Sequence, residues 1–419
     1  MTARPSVDDR LAAAGLPPLP RTAWLEIDLD RLTANLAAFR AAVPAGVRIE
    51  PVVKADAYGH GAVEVARALE AAGADGFSVA AFDEAVELRT AGIRAPILCL
   101  YAVPPAVVPA AMRLGVAVAA SGEDLLERMV AAAREAWEGR SGVRPRRALA
   151  IHLDVETGLG RAGIEPDRVT ATAGRLRLSP GVRLAGIWSH IQQADDGPRT
   201  ADQDARFELA LGHLAEAVAR PPLRHLAASA GLLGRVVPAY DAVRIGLATY
   251  GIVPDDVPAD AAARPPASSI RPILSLHARP VRVADLPTGT GISYGPTFTT
   301  ARPSRIATLP LGYGDGFSRA FSNRAEALVR GHRVPLVGNV AMDAVMADVT
   351  DVPGRVSVDD EFVLLGTQGG QTIAVEDLAR LRNTNTWETV TALSRRLPRV
   401  YHAAAVPVAA RALALWRGR

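Results

Sequence analysis

Residues 48–61 read RIEPVVKADAYGHG: a short apolar run, a lysine, then a segment broken by two glycines. The next segment, Ala62–Ala72, spaces its apolar residues as a helix does, so the stretch predicts one strand–turn–helix unit. The pattern recurs along the chain. Strand-like runs stand at Gly76–Ala80, Pro96–Leu100, Gly115–Ala119, Ala148–Val155, Leu184–Ser189, Leu223–Ala228 and Ala242–Gly246, with helical segments such as Glu123–Trp137 between them. Eight runs within roughly 200 residues predict an α/β fold, a (β/α)8 TIM-type barrel. A doubly wound sheet is the other arrangement this alternation allows, and the count of eight favours the barrel.

Past residue 265 helical periodicity fades. Alternating apolar runs punctuated by Gly and Pro take over, as in Ser275–Val283 (SLHARPVRV), Ser304–Gly312 (SRIATLPLG) and His332–Val340 (HRVPLVGNV). They predict a C-terminal β-strand domain of short strands. The expected layout is an N-terminal extension over 1–20, a barrel over 21–262 and a β domain over 263–419. The segment Ala259–Ser269 reads as linker. The stretch at about 21–30 alternates like a strand ahead of the first barrel strand, and is expected to pair with the C-terminal domain.

Composition removes several function classes. Of 419 residues, 49% are hydrophobic, and the formal net charge is only +3. The densest basic run, Arg144–Arg147 (RPRR), sits in a Gly/Ser/Pro-bearing segment and reads as a solvated loop. Basic residues are thus not gathered into a nucleic-acid footprint, and stacking aromatics are scarce. Cys99 is the only cysteine, which excludes disulfides and thiolate metal sites and suits a reducing cytoplasm. Neither a secretory leader in Met1–Pro20 nor an apolar run of membrane-spanning length is seen.

Lysine and arginine together number 47, and Lys54 is the only lysine. In a chain that uses arginine everywhere else, this position needs something a guanidinium lacks. An amine can shed its proton and attack a carbonyl; arginine cannot. Lys54 closes the first barrel strand behind Val52 and Val53. Barrel active sites are built at such strand ends, and partial desolvation there lowers an amine's pKa. Tyr58 follows four residues on. His190, Ser229 and Arg244 fall at or near the ends of other strands, and Gly246 with Leu247 could turn backbone N–H groups toward a phosphate. Singly, such a histidine is more often core and such a serine more often a helix cap.

With these motifs in place the chain resembles the alanine racemase family, over about residues 21–402. Lys54 and Tyr58 lie in VVKADAYGHG, and TGLGRAGI carries Arg161. WSHIQQAD carries His190 and Asp195, HLAASA carries Ser229, and VRIGLATYG carries Arg244, Gly246, Leu247 and Tyr250. In the β domain, GISYG carries Tyr294, LPLGYGDG carries Tyr313, VGNVAMD carries Met342 and Asp343, and TWETVTALSRRLPRVY carries Trp387. The resemblance implies an isomerase that uses pyridoxal 5'-phosphate to racemise an amino acid, most simply alanine for the cell wall. It implies that Lys54 holds the cofactor and is one of two bases. Tyr294, reaching in from the partner subunit, would be the other, supported through His190 and Arg244. Arg244 would lie against the pyridine nitrogen. Tyr58, Ser229, Gly246, Leu247 and the position of Trp387 would surround the phosphate, while Arg161, Met342 and Tyr313 would meet the substrate. The implied active unit is a homodimer with shared sites, free of metal, nucleic acid and membrane.

Four positions depart from the family pattern. Asp154 stands where many members carry a carbamylated lysine, and a chain with one lysine cannot make that group. Trp387 replaces a usual tyrosine, Ala228 a usual asparagine and Ala341 a common cysteine. These changes surround the site while both bases remain, so a different amino acid stays open as substrate. A decarboxylase or aldolase on the same fold, or a cofactor-binding protein without activity, are the other readings; Tyr294 and the β domain weigh against them.

Overall fold

A computed structural model describes residues 5–140, 145–218 and 222–415. Arg144, in the basic run singled out above, lies outside the described residues. The chain divides into two compact units, one of residues 32–57 and 65–271, the other of residues 1–31, 58–64 and 272–419.

Strand β1 (Ala23–Asp28) belongs to the second unit. The first unit contains β2 (Arg48–Pro51), β3 (Phe77–Val79), β4 (Ile97–Cys99), β5 (Val116–Ala120), β6 (Leu149–Asp154), β7 (Val182–Trp188), β8 (Leu223–His225) and β9 (Ala242–Ile245). Each overlaps one of the eight sequence-predicted runs. β3 to β8 form a continuous parallel sheet, and β2 pairs parallel with β9. Parallel bridges Val52↔Ser78 and Ala228↔Arg244 join the two sets, so the eight strands close on themselves. That closure removes the doubly wound alternative: an open sheet has edges, and here every strand has two neighbours. The segment read as linker forms a short helix, Ala259–Ala262, and a 3₁₀ turn, Ala267–Ser269. Its far end is tied to the barrel by Asn35, whose amide donates to Arg271 O at 3.0 Å and accepts from Arg271 N at 2.9 Å.

In the second unit β1 is an interior strand. It pairs antiparallel with β10 (Leu274–Ala278) and parallel with the strand Arg399–Ala403, inside an eleven-stranded sheet. Two short helices, Val375–Arg382 and Thr386–Thr391, interrupt the strands that the sequence pattern leads one to expect throughout. The described part of the N-terminal extension, from residue 5 on, is folded onto this unit. Val7 and Leu11 of the helix Val7–Ala13 pack with Trp24 and Val400, and Arg10 pairs with Glu26 at 2.5 Å.

Arg399 is fully buried and serves as the staple of this unit. Its guanidinium donates five hydrogen bonds to four carbonyls: Gly59 O at 3.0 and 2.8 Å, Ser394 O at 3.0 Å, Leu397 O at 2.8 Å and Leu393 O at 3.0 Å. Segment 58–64 is thereby fastened to the C-terminal motif. Arg399→Leu leaves those carbonyls without their donor and is expected to cost about 3 kcal/mol or more. Thermal denaturation checks it: an unchanged midpoint would mean that Arg399 staples nothing.

Candidate active site

Lys54 stands just past β2, where Val53 N donates to Ser78 O at 2.9 Å and Val52 N to Ile245 O at 2.8 Å. The strand is therefore gripped from both sides up to the residue before the lysine. The chain then turns the wrong way: Ala55, Asp56, Ala57 and Tyr58 have φ of 52, 56, 54 and 52°. A left-handed turn of non-glycine residues costs about 1–2 kcal/mol per residue, so its surroundings must enforce it. Glu84 is the brace on the barrel side. Its Oε1 accepts from Ala55 N at 2.6 Å, and its Oε2 from Ala80 N at 2.8 Å and Ala81 N at 3.2 Å. Beyond the turn, a Cβ on Gly59, at φ 81°, would sit 2.4 Å from Val390 O.

Around Lys54 the charges are mainly positive. Partial burial lowers its amine from the ordinary lysine value, the guanidinium of Arg161 lowers it further, and Glu84 opposes both. His190, two residues beyond β7, is pushed down to about 3 by burial, helped by Arg244, Arg161 and Lys54. It is a neutral imidazole throughout the physiological range.

Arg244 lies deep in the barrel with 2% of its surface exposed. Its Nη1 donates to His225 Nδ1 at 2.6 Å and His225 O at 2.9 Å; its Nη2 donates to Ser189 O at 2.6 Å and Leu226 O at 3.2 Å. The guanidinium carbon stands 4.7 Å from the Trp188 ring centre. Because arginine only donates, His225 Nδ1 is the acceptor and its proton sits on Nε2. That proton points to His152 Nδ1, 2.9 Å away. Arg244 and His190 share no hydrogen bond.

Asp154 ends β6, and burial pushes its carboxyl up to about 7 against the pull of Arg161 and Arg244. The negative charge expected there is only partly present at neutral pH. Asp154 and Arg161 form no ion pair; the Arg161 guanidinium instead stands 5.3 Å from the centre of the Tyr101 ring.

Ser229 opens the helix Ser229–Gly234, and its Oγ accepts from Gly246 N at 2.9 Å. The serine proton remains available to an outside acceptor. Leu247 begins a 3₁₀ turn, Leu247–Tyr250, so its N–H has no acceptor within that turn. These donors suit a phosphate, and a partly desolvated amine suits an aldehyde, so the barrel residues fit pyridoxal 5'-phosphate.

The remaining candidates lie in the second unit. Tyr58 is buried, and Trp387 is half-buried on the helix Thr386–Thr391. Tyr294, Met342 and Tyr313 are 81, 52 and 45% exposed. Asn339 holds the first of these by donating to Tyr294 O at 2.9 Å. Tyr313 N donates to Ala341 O and Gly314 N to Met342 O, both at 3.0 Å, which locks those two loops together. Sequence reasoning passed over Tyr101, Glu84, His152 and His225. His225 is the first letter of HLAASA, and His152 shares a strand face with Asp154 two residues on, so period-two alternation could have found it.

The family profile described as alanine racemase, N-terminal domain, matches residues 27–254, and the one described as alanine racemase, C-terminal domain, matches 273–401. The chain is 42% identical to an alanine racemase of Symbiobacterium thermophilum over 91% of its own length and 97% of the relative's. A solved alanine racemase from Bacillus anthracis with bound L-Ala-P superposes with a TM-score of 0.85, at 33% identity, covering 94% of this chain and 98% of that one. A histidine racemase from Leuconostoc mesenteroides superposes with a TM-score of 0.81, at 26% identity, over 92% of this chain and 100% of that one.

The raised carboxyl of Asp154 carries a pH signature. A buried acid whose pKa rises from its ordinary value to about 7 weakens the fold once it ionises. That penalty is complete above the folded value and disappears below the unfolded one. Asp154→Asn should therefore raise stability at pH 8 by on the order of 3 kcal/mol, and by less at pH 5. Thermal unfolding at the two pH values tests it; an equal gain at both would place the titration elsewhere.

Proposed function

The chain belongs to the alanine racemase family, and from that premise we propose that it interconverts L- and D-alanine with pyridoxal 5'-phosphate as cofactor, working as a homodimer in the cytoplasm. The observation that carries this reading is the only lysine of the chain, at a barrel strand end, with a lowered pKa among Arg161, Arg244 and His190. No described helix is long and apolar enough to cross a membrane.

In this reading Lys54 is the residue that would hold the cofactor, through its amine. Ser229 and the Leu247 N–H would meet the phosphate, Gly246 supporting the serine through its N–H to Ser229 Oγ. By the family pattern Tyr58 and Trp387 would also stand near the phosphate, and Arg244 would face the ring nitrogen. When bound, the cofactor supplies an electron sink that makes the substrate Cα–H acidic. The protein's own work is to move that proton. Lys54, as the neutral amine that its surroundings favour, takes or returns it on one face of Cα. The partner subunit's Tyr294 does so on the opposite face, and two bases on opposite faces invert the centre. Arg161 takes the substrate carboxylate, aided by the N–H of the partner subunit's Met342, and Tyr313 is also assigned to the substrate. Tyr294, Tyr313 and Met342 are large, exposed and held on interlocked loops, as suits residues that a second subunit covers. A neutral His190 beside the guanidinium side of the site cannot act as a strong acid, so it serves to position the second base.

A second reading, a racemase for a different amino acid, is favoured by Trp387 and Asp154, which stand where the family usually carries a tyrosine and a carbamylated lysine. One experiment separates the possibilities. The purified protein, loaded with pyridoxal phosphate, is incubated in D2O with single L-amino acids, alanine and histidine included, and the products are analysed by chiral chromatography and mass spectrometry. D-Alanine carrying one α-deuterium is expected as the main product. A preferred D-isomer of another residue would support the second reading, and glycine with an aldehyde, or an amine, would overturn both. Lys54→Arg should abolish turnover and the visible absorbance of bound cofactor. Tyr294→Phe should keep that absorbance while lowering kcat by roughly 10²–10⁴-fold.

A further inference from the structure

The opposite end of the barrel holds a cavity of about 540 Å³ that the racemase reading leaves unused. Arg48, Phe77, Ile97, Val116 and Leu223 line it, and each is the first residue of its strand, so this is the N-terminal mouth. Packed side chains usually fill a barrel here. A concavity of this size is instead in the range that encloses a small ligand.

Its wall is charged in one sense. Arg48, Arg89, Arg94, Arg147 and Arg183 all line it, against a single carboxylate, Glu50. Two of the five guanidinium groups are already engaged. Arg48 pairs with Glu50 at 3.0 Å and donates to Asp75 O at 3.0 Å. Arg89 caps chain ends, donating to Leu114 O at 3.0 Å, Ile93 O at 2.8 Å, Ala95 O at 2.7 Å and Gly115 O at 3.3 Å. Arg94, Arg147 and Arg183 differ: among the described residues none of their guanidinium groups has an acidic partner or a hydrogen bond, although the Arg94 backbone N–H donates to Glu70 Oε1 at 2.8 Å. Gly115, at φ 62°, makes room for one of them, since a Cβ there would lie 2.7 Å from an Arg147 Nη atom.

A single solvated arginine needs no explanation. Three that line one cavity, with the only carboxylate taken by a fourth, repel one another until an anion enters. Their field is felt nearby: Arg147 helps to lower Arg89, and Arg183 and Arg48 help to lower His152, in each case after burial. We propose that the N-terminal mouth binds a small oxyanion of at least two negative charges, phosphate or polycarboxylate in class, held in forked hydrogen bonds by Arg94, Arg147 and Arg183. The cavity opens to solvent with its three uncommitted arginines exposed at the mouth, and its size and small number of donors select a compact ion rather than a polymer.

The test uses the cofactor-loaded enzyme, so that the phosphate cup is filled, and two probes, inorganic pyrophosphate and citrate, in separate calorimetric titrations. Saturable binding of one or both is expected, weakening steeply as salt rises. Binding by pyrophosphate alone assigns the phosphate class, and by citrate alone the polycarboxylate class. Propionate at saturation, which competes for the substrate's carboxylate contact, should leave it unchanged. The triple substitution R94Q/R147Q/R183Q should weaken it at least tenfold while KM for alanine stays within twofold of the parent. Displacement by propionate, equal binding by the triple variant, or no saturable binding of either probe would each overturn the proposal. Because the readout is binding, its failure is distinct from failure of the racemase assay.

Discussion

Arg244 carries a full positive charge at the centre of the barrel without an ion-paired acid, and several neighbouring features follow from satisfying it with neutral groups. Ser189, His225 and Leu226 must aim their carbonyls inward, which fixes the backbone where β7 and β8 end. His225 must accept at Nδ1, so it must be neutral, and burial with the Arg244 charge keeps it so. Its remaining proton then goes to His152, which burial holds at about 3 and which is likewise neutral. The chain of constraint reaches the backbone of a further strand. His152 is paired in register with Gly186, and a Cβ there would lie 2.1 Å from His152 Nδ1. One charge thus sets two tautomers, three carbonyl directions and the identity of a glycine. In the proposed reading this rigidity has a chemical consequence. A guanidinium that can only donate would disfavour a proton on a ring nitrogen held against it, and so would favour simple proton exchange.

The segment after Lys54 follows the opposite logic, since it stores strain instead of relieving it. Four consecutive left-handed residues without a glycine among them would not form in a free peptide. Within the barrel unit the brace is the Glu84 carboxylate on Ala55 N. Within the second unit it is Arg399, whose two bonds to Gly59 O fasten the outgoing chain. Each brace is a charged group bonded to neutral backbone, which is stronger than a neutral pair. The turn that follows the lysine is therefore fixed at both ends, which suits the proposed reading, in which Lys54 would meet the same carbon atom from one face repeatedly.

Much of the fold was legible because the barrel repeats itself. Eight apolar runs interleaved with helices are hard to arrange otherwise, and even short strands such as Phe77–Val79 announce themselves through their place in the series. The two late helices were not legible, being eight and six residues long and set among strands. At the site, Lys54 stood out by composition alone, and Ser229, Gly246 and Arg244 by their nearness to strand ends. The supporting residues were hidden for a physical reason. Glu84 and Arg399 act on backbone N–H and C=O groups, which every residue has, so no sequence signal marks their targets. Tyr101 is reached only because Arg161, 60 positions later, lies over its ring.

That last pair bears on what replaces the carbamylated lysine. A carbamate would hold Arg161 with a full negative charge. Asp154, on its shorter arm, makes no ion pair with Arg161 and is partly protonated near neutral pH. It cannot be the main anchor. The face of Tyr101 attracts a guanidinium by its quadrupole, contributing about 0.5–1 kcal/mol at an exposed site. Such a contact orients Arg161 while leaving its N–H donors uncommitted, so more of them are available to an incoming carboxylate than an ion pair would leave. In the proposed reading the orienting role then falls to an exposed ring instead of a buried charge, and the grip of Arg161 would depend on how the loop after β4 holds Tyr101.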